Sequence, residues 1–532
     1  MQKRIYYLHR KISLIIAIPV LLWAASGFMH PIMTNIRPNL KQQKIAPITL
    51  DKGKILLGLK QVLSLNHLSS IHNARLVHID TNWFYQVQTE PNADPLYLGA
   101  SNAKKLKNGD QVYARYLTRL FLEGQKEDTN DQSKTLLNDA SRMMQANKHS
   151  HDCCESATRF VFSGKQGAPV LSVKKIISFD EEYGEVNKIL PVYKVSFQRQ
   201  DSIRVYVETT QDRFVYAVDD KRAFFDKIFG LFHTWDWLDT LGSFKLYVMA
   251  LLMLLTLFSS FLGLYIFFTT KNIRPNGRSV LRWRYNHRWV SAFGSLFSLM
   301  FVFSGACHVI GKLIIDQPSD YLYNQKINPD KLVVDGIDLD KTNMARYSNF
   351  SLVRMRDSVY WRLELISKDR HPAMHQSMPA WSKENKMQMP EFHFFSVANG
   401  SLLKNGEKEY AVSLANQFRG NSFETPISVT PVTRFEGEYG FVNKRLPVWK
   451  VQYEKNHHER LYIETATANL AARMNDINVS EGYIFSFLHK HHFMDFAGKA
   501  ARDFSSMFWA AMQVILVLVG LVYFFFRSGL RR

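Results

Sequence analysis

The sequence predicts an α-helical membrane protein with four transmembrane helices, an internal duplication and two extracytoplasmic α+β domains. Three observations predict this architecture. Four apolar windows contain no Asp, Glu, Lys or Arg, and each exceeds the ~20 helical residues that cross ~30 Å of hydrocarbon. Two long segments between the windows carry mixed polar and apolar sequence. The second half of the chain also repeats motifs of the first at matching distances, so the two halves are expected to share one fold.

The apolar windows are residues 12–36, 246–270, 289–311 and 504–526. They divide the chain into a first transmembrane helix (1–36), an outer domain (37–243), a second helix (244–270), a short loop (271–288), a third helix (289–311), a second outer domain (312–503) and a fourth helix (504–526). The first window is longer than the apolar part of a signal peptide, and no clean small-residue cleavage site follows it. We therefore expect an uncleaved helix.

The duplication is visible as four aligned stretches. Residues 9–30 align with 287–308 at an offset of 278, and residues 76–85 align with 352–361 at an offset of 276. Residues 106–110 align with 403–407 at 297, and residues 183–192 align with 439–448 at 256. The fall from 297 to 256 means 41 extra residues in the first half. They fall near 125–166, a polar stretch that reads as a surface insertion.

Basic residues set the predicted orientation. The formal net charge is +20, and Lys and Arg cluster at the N-terminus, in the 271–288 loop and at the C-terminus. Under the positive-inside rule these three regions are cytoplasmic. The two large domains are then periplasmic, in a multi-pass protein of a bacterial inner membrane. The densest basic cluster lies beside the membrane, which favours the lipid bilayer as its partner and disfavours a nucleic acid.

Both outer domains are expected to be α+β. Period-2 alternation predicts strands at 192–197, 203–207, 214–218, 448–453 and 461–463. Helical periodicity predicts helices at 52–65, 110–122 and 407–418. Helices packed on one face of an antiparallel sheet account for this order of elements.

Histidines mark both ends of the first and third helices. His9 and His30 lie 21 residues apart, as do His287 and His308, which places the members of each pair ~31 Å apart along one side of a helix. Paired histidines on facing membrane helices can ligate haem iron. We expect His9 with His287 at the inner face and His30 with His308 at the outer face, each pair holding one haem b.

Two further histidines leave the outer pairing open. His233 and His489 stand where the second and fourth helices begin, and they form an alternative outer pair or combine with His30 and His308. The competing interpretation is that all six histidines only cap helices or sit at the membrane interface. Their recurrence at duplicate positions favours a functional role, because ionisable side chains in membrane helices are rare and usually functional.

Three smaller signals have simpler explanations. His149, His151, Cys153 and Cys154 are close together in the insertion, and chance clustering in a polar loop is favoured over a metal site. Two of the three histidines at 489, 491 and 492 are expected to face solvent. A set of aromatic residues before the second helix is expected to form an interfacial belt. They are Phe224, Phe225, Phe229, Phe232, Trp235 and Trp237.

Short motifs resemble one known family. Residues 190–197 with 205–208 resemble the strand motif of PepSY domains. His-Arg at residues 9–10 and 287–288, and a histidine at 233 and 489 with a glycine nine residues on, resemble the PepSY-associated transmembrane family. The glycine usual after the last PepSY strand pair is absent. The resemblance implies an iron-regulated inner-membrane protein with PepSY-like outer domains, in a family where some members are haem-containing ferric-siderophore reductases.

These observations give one redox hypothesis and two alternatives. The sequence contains no Gly-x-Gly-x-x-Gly that opens a helix after a strand and no P-loop, so no nicotinamide, flavin or ATP site is expected. Electrons would then come from quinol or a redox partner protein. On the redox hypothesis the chain passes electrons across the membrane and reduces a ferric siderophore. The alternatives are a non-enzymatic PepSY membrane protein that binds a periplasmic peptide or protein, and a siderophore permease component.

Overall fold

The structure is a computed structural model of the 532-residue chain. It describes residues 2–91, 93–123, 167–275, 279–314, 323–336, 339, 344–366, 389–420, 424–435 and 437–529. The predicted insertion and its histidines and cysteines lie outside the described residues.

The chain forms two compact units. One contains residues 1–37, 220–317 and 474–532, and is called the membrane unit below. The other contains residues 38–219 and 318–473, and is called the sheet unit. Each unit takes residues from both halves of the sequence.

The helices and strands are numbered in chain order. The helices are α1 (Gln2–Asn35), α2 (Leu59–Leu65), α3 (Gly109–Glu123), α4 (Asp220–Phe229), α5 (Phe244–Thr269), α6 (Ser279–Ile314), α7 (Gly406–Phe418), α8 (Asp476–Ile484) and α9 (Gly498–Gly529). The strands are β1 (Asn73–Ile79), β2 (Asn82–Gln88), β3 (Leu96–Gly99), β4 (Val170–Ile176), β5 (Val192–Phe197), β6 (Arg204–Glu208), β7 (Arg213–Val218), β8 (Tyr347–Met355), β9 (Ser358–Leu365), β10 (Phe392–Ser396), β11 (Leu402–Leu403), β12 (Ser428–Val432), β13 (Val448–Gln452), β14 (Arg460–Glu464) and β15 (Asn469–Met474).

The membrane unit is built on four long apolar helices. α1, α5, α6 and the segment His492–Phe526, which includes most of α9, are long and apolar enough to cross a membrane. The structure therefore has a helix of this kind at each of the four predicted windows, but the third helix begins at Ser279, ten residues before its predicted start, within the predicted 271–288 loop. α1 packs against α5 and α9, and α6 packs against the same two helices. Within the described bundle α1 and α6 thus lie diagonally opposite, and the bundle core lies between them.

Two arginines lie against the C-terminal ends of neighbouring helices. Arg288 on α6 donates to the carbonyl oxygens of Phe267 (2.5 Å) and Thr270 (2.9 Å) at the end of α5. Its guanidinium also lies 4.6 Å from the centre of the Phe267 ring, and Arg10 on α1 lies 4.7 Å from that of Phe524 on α9. A cation at a helix C-terminus satisfies carbonyls that the helix leaves unpaired and complements its dipole.

The sheet unit contains a seven-stranded antiparallel sheet with strands from both halves. Its order is β11-β10-β9-β8-β1-β2-β3. The halves join where β1 pairs with β8, at Arg75 opposite Ser351. These two residues are 276 positions apart, which is the offset at which this part of the sequence aligns with itself. The two outer segments therefore share one continuous sheet.

Two four-stranded antiparallel sheets complete this unit. Their orders are β4-β5-β6-β7 and β12-β13-β14-β15. α3 packs on the first through Tyr113, Leu117 and Phe121, and α7 lies against β13 and β14 of the second. This arrangement confirms the α+β prediction. The helix predicted from residue 52 begins only at Leu59, because Gly58 occupies the N-cap and Asp335 accepts from the free N–H groups of the first turn.

Each half buries an arginine beside α3 or α7, with different partners. In the first half Arg75 donates to Asp212 and to Gln86, and Asp110 on α3 accepts instead from Tyr97 (2.8 Å). In the second half Arg362 donates through two nitrogens to Glu407 on α7, at 2.8 Å each. Residue 407 aligns with residue 110, so the same helix position holds a charged pair in only one half.

The two halves also share one matching carboxylate cluster. Glu182 and Glu438, 256 residues apart, each accept from a tyrosine and pair with a lysine and an arginine. Burial alone would raise the pKa of both carboxyl groups, but hydrogen bonds from the lysine and tyrosine outweigh it and lower the pKa below 4.5. The partners are Lys194, Tyr206 and Arg204 for Glu182, and Lys450, Tyr462 and Arg460 for Glu438.

Candidate functional site

All six predicted site histidines lie in the membrane unit. α1 carries two of them, α6 carries two, and the last two end short π-helical turns that follow α4 and α8. They are His9, His30, His287, His308, His233 and His489.

His9 is held at one ring nitrogen. Its Nδ1 lies 3.0 Å from the carbonyl oxygen of Ser259 on α5. A carbonyl can only accept, so Nδ1 carries the proton and Nε2 keeps its lone pair. The helix α5 comes close here because residue 263 is glycine: a Cβ at Gly263 would lie 3.3 Å from Cε1 of His9. The imidazole therefore has a fixed orientation and a free nitrogen.

His287 occupies the corresponding place on α6. A Cβ at Gly520 on α9 would lie 3.2 Å from its Cε1. Its Nδ1 is buried and has no hydrogen-bond partner among the described residues. His9 and His287 are close enough to interact electrostatically. The structure thus brings together the two histidines predicted to pair at the inner face.

At the opposite end, a serine holds His233. Ser26 Oγ lies 3.1 Å from its Nδ1, and the serine proton is directed to the carbonyl oxygen of Leu22 (2.7 Å). The serine oxygen must then accept from Nδ1–H, which leaves Nε2 unprotonated in the neutral ring.

His489 is held in the same way by the second half. Ser304 Oγ lies 3.2 Å from its Nδ1 and donates to the carbonyl oxygen of Met300 (2.6 Å). The carbonyl oxygen of Phe301 lies 3.3 Å from the same nitrogen and can only accept. Nδ1 of His489 is therefore the protonated nitrogen. Ser26 and Ser304 are 278 residues apart, the offset at which α1 and α6 align.

The four histidines at this end and two phenylalanines form a row of six aromatic rings in contact. His233 and His489 are in direct contact, with ring centres 6.2 Å apart. Phe229 lies between His30 and His233, at 5.2 and 4.5 Å. Phe485 lies between His308 and His489, at 4.2 and 4.7 Å. In order, the rings are those of His30, Phe229, His233, His489, Phe485 and His308, named the ring chain below.

The ring chain bears on the two outer pairings left open by the sequence. His233 and His489 are its central pair. His30 and His308 stand at its two ends, each one phenylalanine away from that pair.

The predicted aromatic belt before α5 is only partly exposed. Phe224 and Trp237 are exposed, as a belt requires, whereas Trp235 is buried against Trp23 with ring centres 5.0 Å apart.

The ends of the ring chain differ in charge. Nδ1 of His308 lies 2.8 Å from a carboxylate oxygen of Glu481 on α8. The residue 256 positions earlier, Phe225 on α4, offers His30 no such group. The second half therefore bonds its end histidine directly to a carboxylate, whereas Asp226 and Asp503 act on His30 through electrostatic attraction.

His491 was missed by sequence reasoning. We expected two of the histidines at 489, 491 and 492 to face solvent, and this is wrong, because His491 is completely buried and His489 faces into the bundle. The backbone of His491 has φ 55°, in the left-handed region, at the turn between the π-helical segment and α9. The hydrophobic periodicity of the sequence does not predict such a turn. The side chain of His492 is 39% exposed.

Comparison with known families places the chain among membrane proteins. A family model described as the PepSY-associated TM region matches residues 165–527. This match covers α4 to α8, nearly all of α9 and three of the four segments that carry the six histidines; α1 lies outside it. No curated protein matches the chain.

Proposed function

The chain belongs to the PepSY-associated TM region family, and on that premise we propose that its membrane unit binds haem b between the helices and passes electrons across the bilayer. The observation that carries this proposal is the ring chain, in which two histidines on opposite halves face each other with their Nδ1 atoms already engaged. Histidines that ligate a metal through Nε2 characteristically donate Nδ1–H to an oxygen of the protein.

The residues at both ends of the bundle fit two haem groups. His233 and His489 would hold one, and His9 and His287 the other. The inner imidazoles lie beside Gly263 and Gly520, which keep the facing helices free of side chains there. The unpartnered, buried Nδ1 of His287 is the kind of polar atom that a bound group or water would satisfy. Bound haem would supply one-electron chemistry at iron, and each pair of histidines would provide its two imidazole ligands.

The repeated arrangement also supports a common origin of the two halves. The serine, phenylalanine and histidine of each half occupy aligned positions, and the sheet unit repeats its strand order. We propose an internal duplication with two PepSY-like segments, arranged so that the two membrane halves face each other across a pseudo-twofold axis.

Orientation follows from the basic residues. Both termini and the loop between α5 and α6 would be cytoplasmic, and the sheet unit periplasmic, in a bacterial inner membrane. A reporter fused to the C-terminus should be active only in its cytoplasmic format; periplasmic activity there would reverse the electron path. The acceptor proposed from the family resemblance is a ferric siderophore on the periplasmic side.

An absorption spectrum of the purified protein tests the haem proposal. Protein purified from haem-replete cells should show a Soret band and, on reduction, sharp α and β bands of low-spin haem b. Colourless protein would contradict it and would favour a peptide-binding or permease role. Loss of the reduced spectrum on adding a ferric siderophore, with formation of ferrous iron, would identify the acceptor.

A further inference from the structure

His491 has a buried nitrogen without a partner. Its imidazole is 0% exposed, and its Nδ1 lies 3.0 Å from Ser505 Oγ on α9. Its Nε2 has no hydrogen-bond partner in the described part of the chain. A polar atom buried in this state costs free energy unless something else bonds to it.

Aromatic rings connect this nitrogen to the outer surface of the bundle. Phe293 on α6 is 59% exposed, on a helix whose surroundings are lipid, and its ring centre lies 5.2 Å from that of Trp509. Trp509 stacks on Phe297 at 3.6 Å, and Phe297 lies 5.6 Å from His491. A flat apolar ring arriving from the bilayer would meet the exposed Phe293 first, and the stacked rings of Trp509 and Phe297 continue the aromatic contact inward to His491.

The same rings continue to the ring chain. Phe301 stacks on His491, with centres 5.0 Å apart and an angle of 21° between the rings. Phe301 also contacts His489 at 5.6 Å, and its carbonyl oxygen lies beside Nδ1 of that residue. By the helix rise, Phe297 and Phe301 are ~15 and ~21 Å from His287, which places His491 between the two histidine pairs.

The first half fills the equivalent place. Trp23 and Trp235, which align with Phe301 and His491, stack at 5.0 Å. Both indole nitrogens there are satisfied, by the carbonyl oxygens of His233 and Phe232 at 3.1 Å. Only the second half therefore combines smaller rings with an unpartnered nitrogen, so the frame of the bundle does not by itself require the arrangement.

We propose that the face of α6 and α9 around His491 binds the headgroup of a membrane quinol, with a ring hydroxyl hydrogen-bonded to Nε2. A quinol is planar, enters from lipid and carries oxygen atoms at its ring edge, which matches an exposed aromatic ring with a buried nitrogen behind it that has no partner among the described residues. This inference rests on the proposed function, to which it adds the electron donor. Oxidation of one quinol to quinone releases two electrons, which reduce two ferric haem irons, and two hydroxyl protons, one passing to Nε2 and the other to water.

Three variants of the full-length, haem-loaded protein test this site. His491→Phe keeps a ring but removes the nitrogen, His491→Gln restores a polar group near the position of Nε2, and His492→Phe is the matched control at the exposed neighbour. We expect His491→Phe to slow haem reduction by decylubiquinol at least tenfold in stopped-flow absorbance, with dithionite reduction and haem content unchanged. His491→Gln should recover much of the rate, and His492→Phe should match the wild type.

Binding measured without reference to haem separates this inference from the proposed function. Ser505 Oγ can either donate to or accept from Nδ1, so Nε2 can also carry the proton and donate to a quinone carbonyl. Decylubiquinone should therefore bind the wild-type protein in calorimetric titration and bind His491→Phe at least tenfold more weakly. If protein purified from haem-replete cells carries no haem but still binds the quinone through His491, the proposed function is overturned and this site stands. Equal quinone affinity and equal reduction rates in wild type and His491→Phe would overturn the site and show that only water meets Nε2.

Discussion

The two halves of the chain agree at one carboxylate cluster of the sheet unit and differ at one end of the membrane unit. Glu182 and Glu438 sit at aligned positions with the same three kinds of partner. In the ring chain the halves share serine, phenylalanine and histidine, but Glu481 and His491 have the apolar counterparts Phe225 and Trp235. What the halves share holds the frame together. The differences indicate where one half has a separate function, because the counterparts Phe225 and Trp235 show that the bundle packs without a carboxylate or an imidazole at these positions.

The largest expected effect concerns the shared histidines. His233→Ala and His489→Ala should each remove about half of the haem, because one remaining imidazole holds iron poorly. His9→Ala or His287→Ala should remove the other half, independently, since ~26 Å of helix separates His287 from Ser304, which holds His489. Pyridine haemochrome per protein measures all four.

His492→Ala is the control for this series and should keep the full haem content. If His30→Ala and His308→Ala each halve the signal while His233→Ala and His489→Ala keep it, the outer ligands are the ends of the ring chain. Wild-type haem content in all six single variants would end the redox interpretation.

A smaller effect distinguishes the two buried arginines. Glu407→Gln leaves the guanidinium of Arg362 buried without its counter-charge, which should cost about 3 kcal/mol of stability. Asp110→Asn at the aligned position removes no arginine partner and keeps a hydrogen-bond acceptor for Tyr97, so about 1 kcal/mol is expected. Thermal unfolding of the two variants in one detergent gives the comparison. Equal losses of stability would mean that the charge of Glu407 beside Arg362 adds nothing beyond an ordinary hydrogen bond.

The smallest effect depends on pH and should be equal in both halves. The carboxyl groups of Glu182 and Glu438 have their pKa lowered in the folded protein, so their stabilisation is complete above 4.5 and is lost as pH falls through the folded pKa. Glu182→Gln and Glu438→Gln should each cost about 1 kcal/mol at pH 7, discounted for partial exposure.

The deficit of both variants should shrink toward zero as unfolding is followed down to pH 3. A deficit that stays constant with pH would assign the loss to packing and not to the charge. Unequal losses at pH 7 would show that the two clusters, alike in their partners, differ in energy.

Sequence reasoning found the four membrane helices because length and apolarity alone decide them. It also found β5, whose alternation matches one buried face. It missed the seven-stranded sheet, because β2 buries five consecutive residues and gives no period-2 signal. The pairing of β1 with β8 joins residues 276 positions apart, and no local pattern encodes such a contact.

The site was predicted in its histidines and not in its arrangement. Repetition identified all six, at an offset of 278 for the four on α1 and α6 and of 256 for His233 and His489. The offset of 278 applied to Ser26 and Ser304 would have pointed to the hydrogen-bond partners of the second pair. The order of the ring chain depends on π-helical turns at Gly230–Thr234 and Phe485–His489, which shift the register of a helix. The burial of His491 depends on a left-handed residue. Both are settled by tertiary packing.

The pairing of β1 with β8 cannot form until β8 has been synthesised. A ribosome adding ~5–20 residues per second needs roughly 14–55 s to make the residues between Arg75 and Ser351. During that time β1 has its partner β2 on one side and an unpaired edge on the other, and α5 and α6 are synthesised before β8. An unpaired edge of a buried strand invites pairing with another chain. The edge of β1 is therefore open to pairing with other chains until β8 has been synthesised and pairs with it.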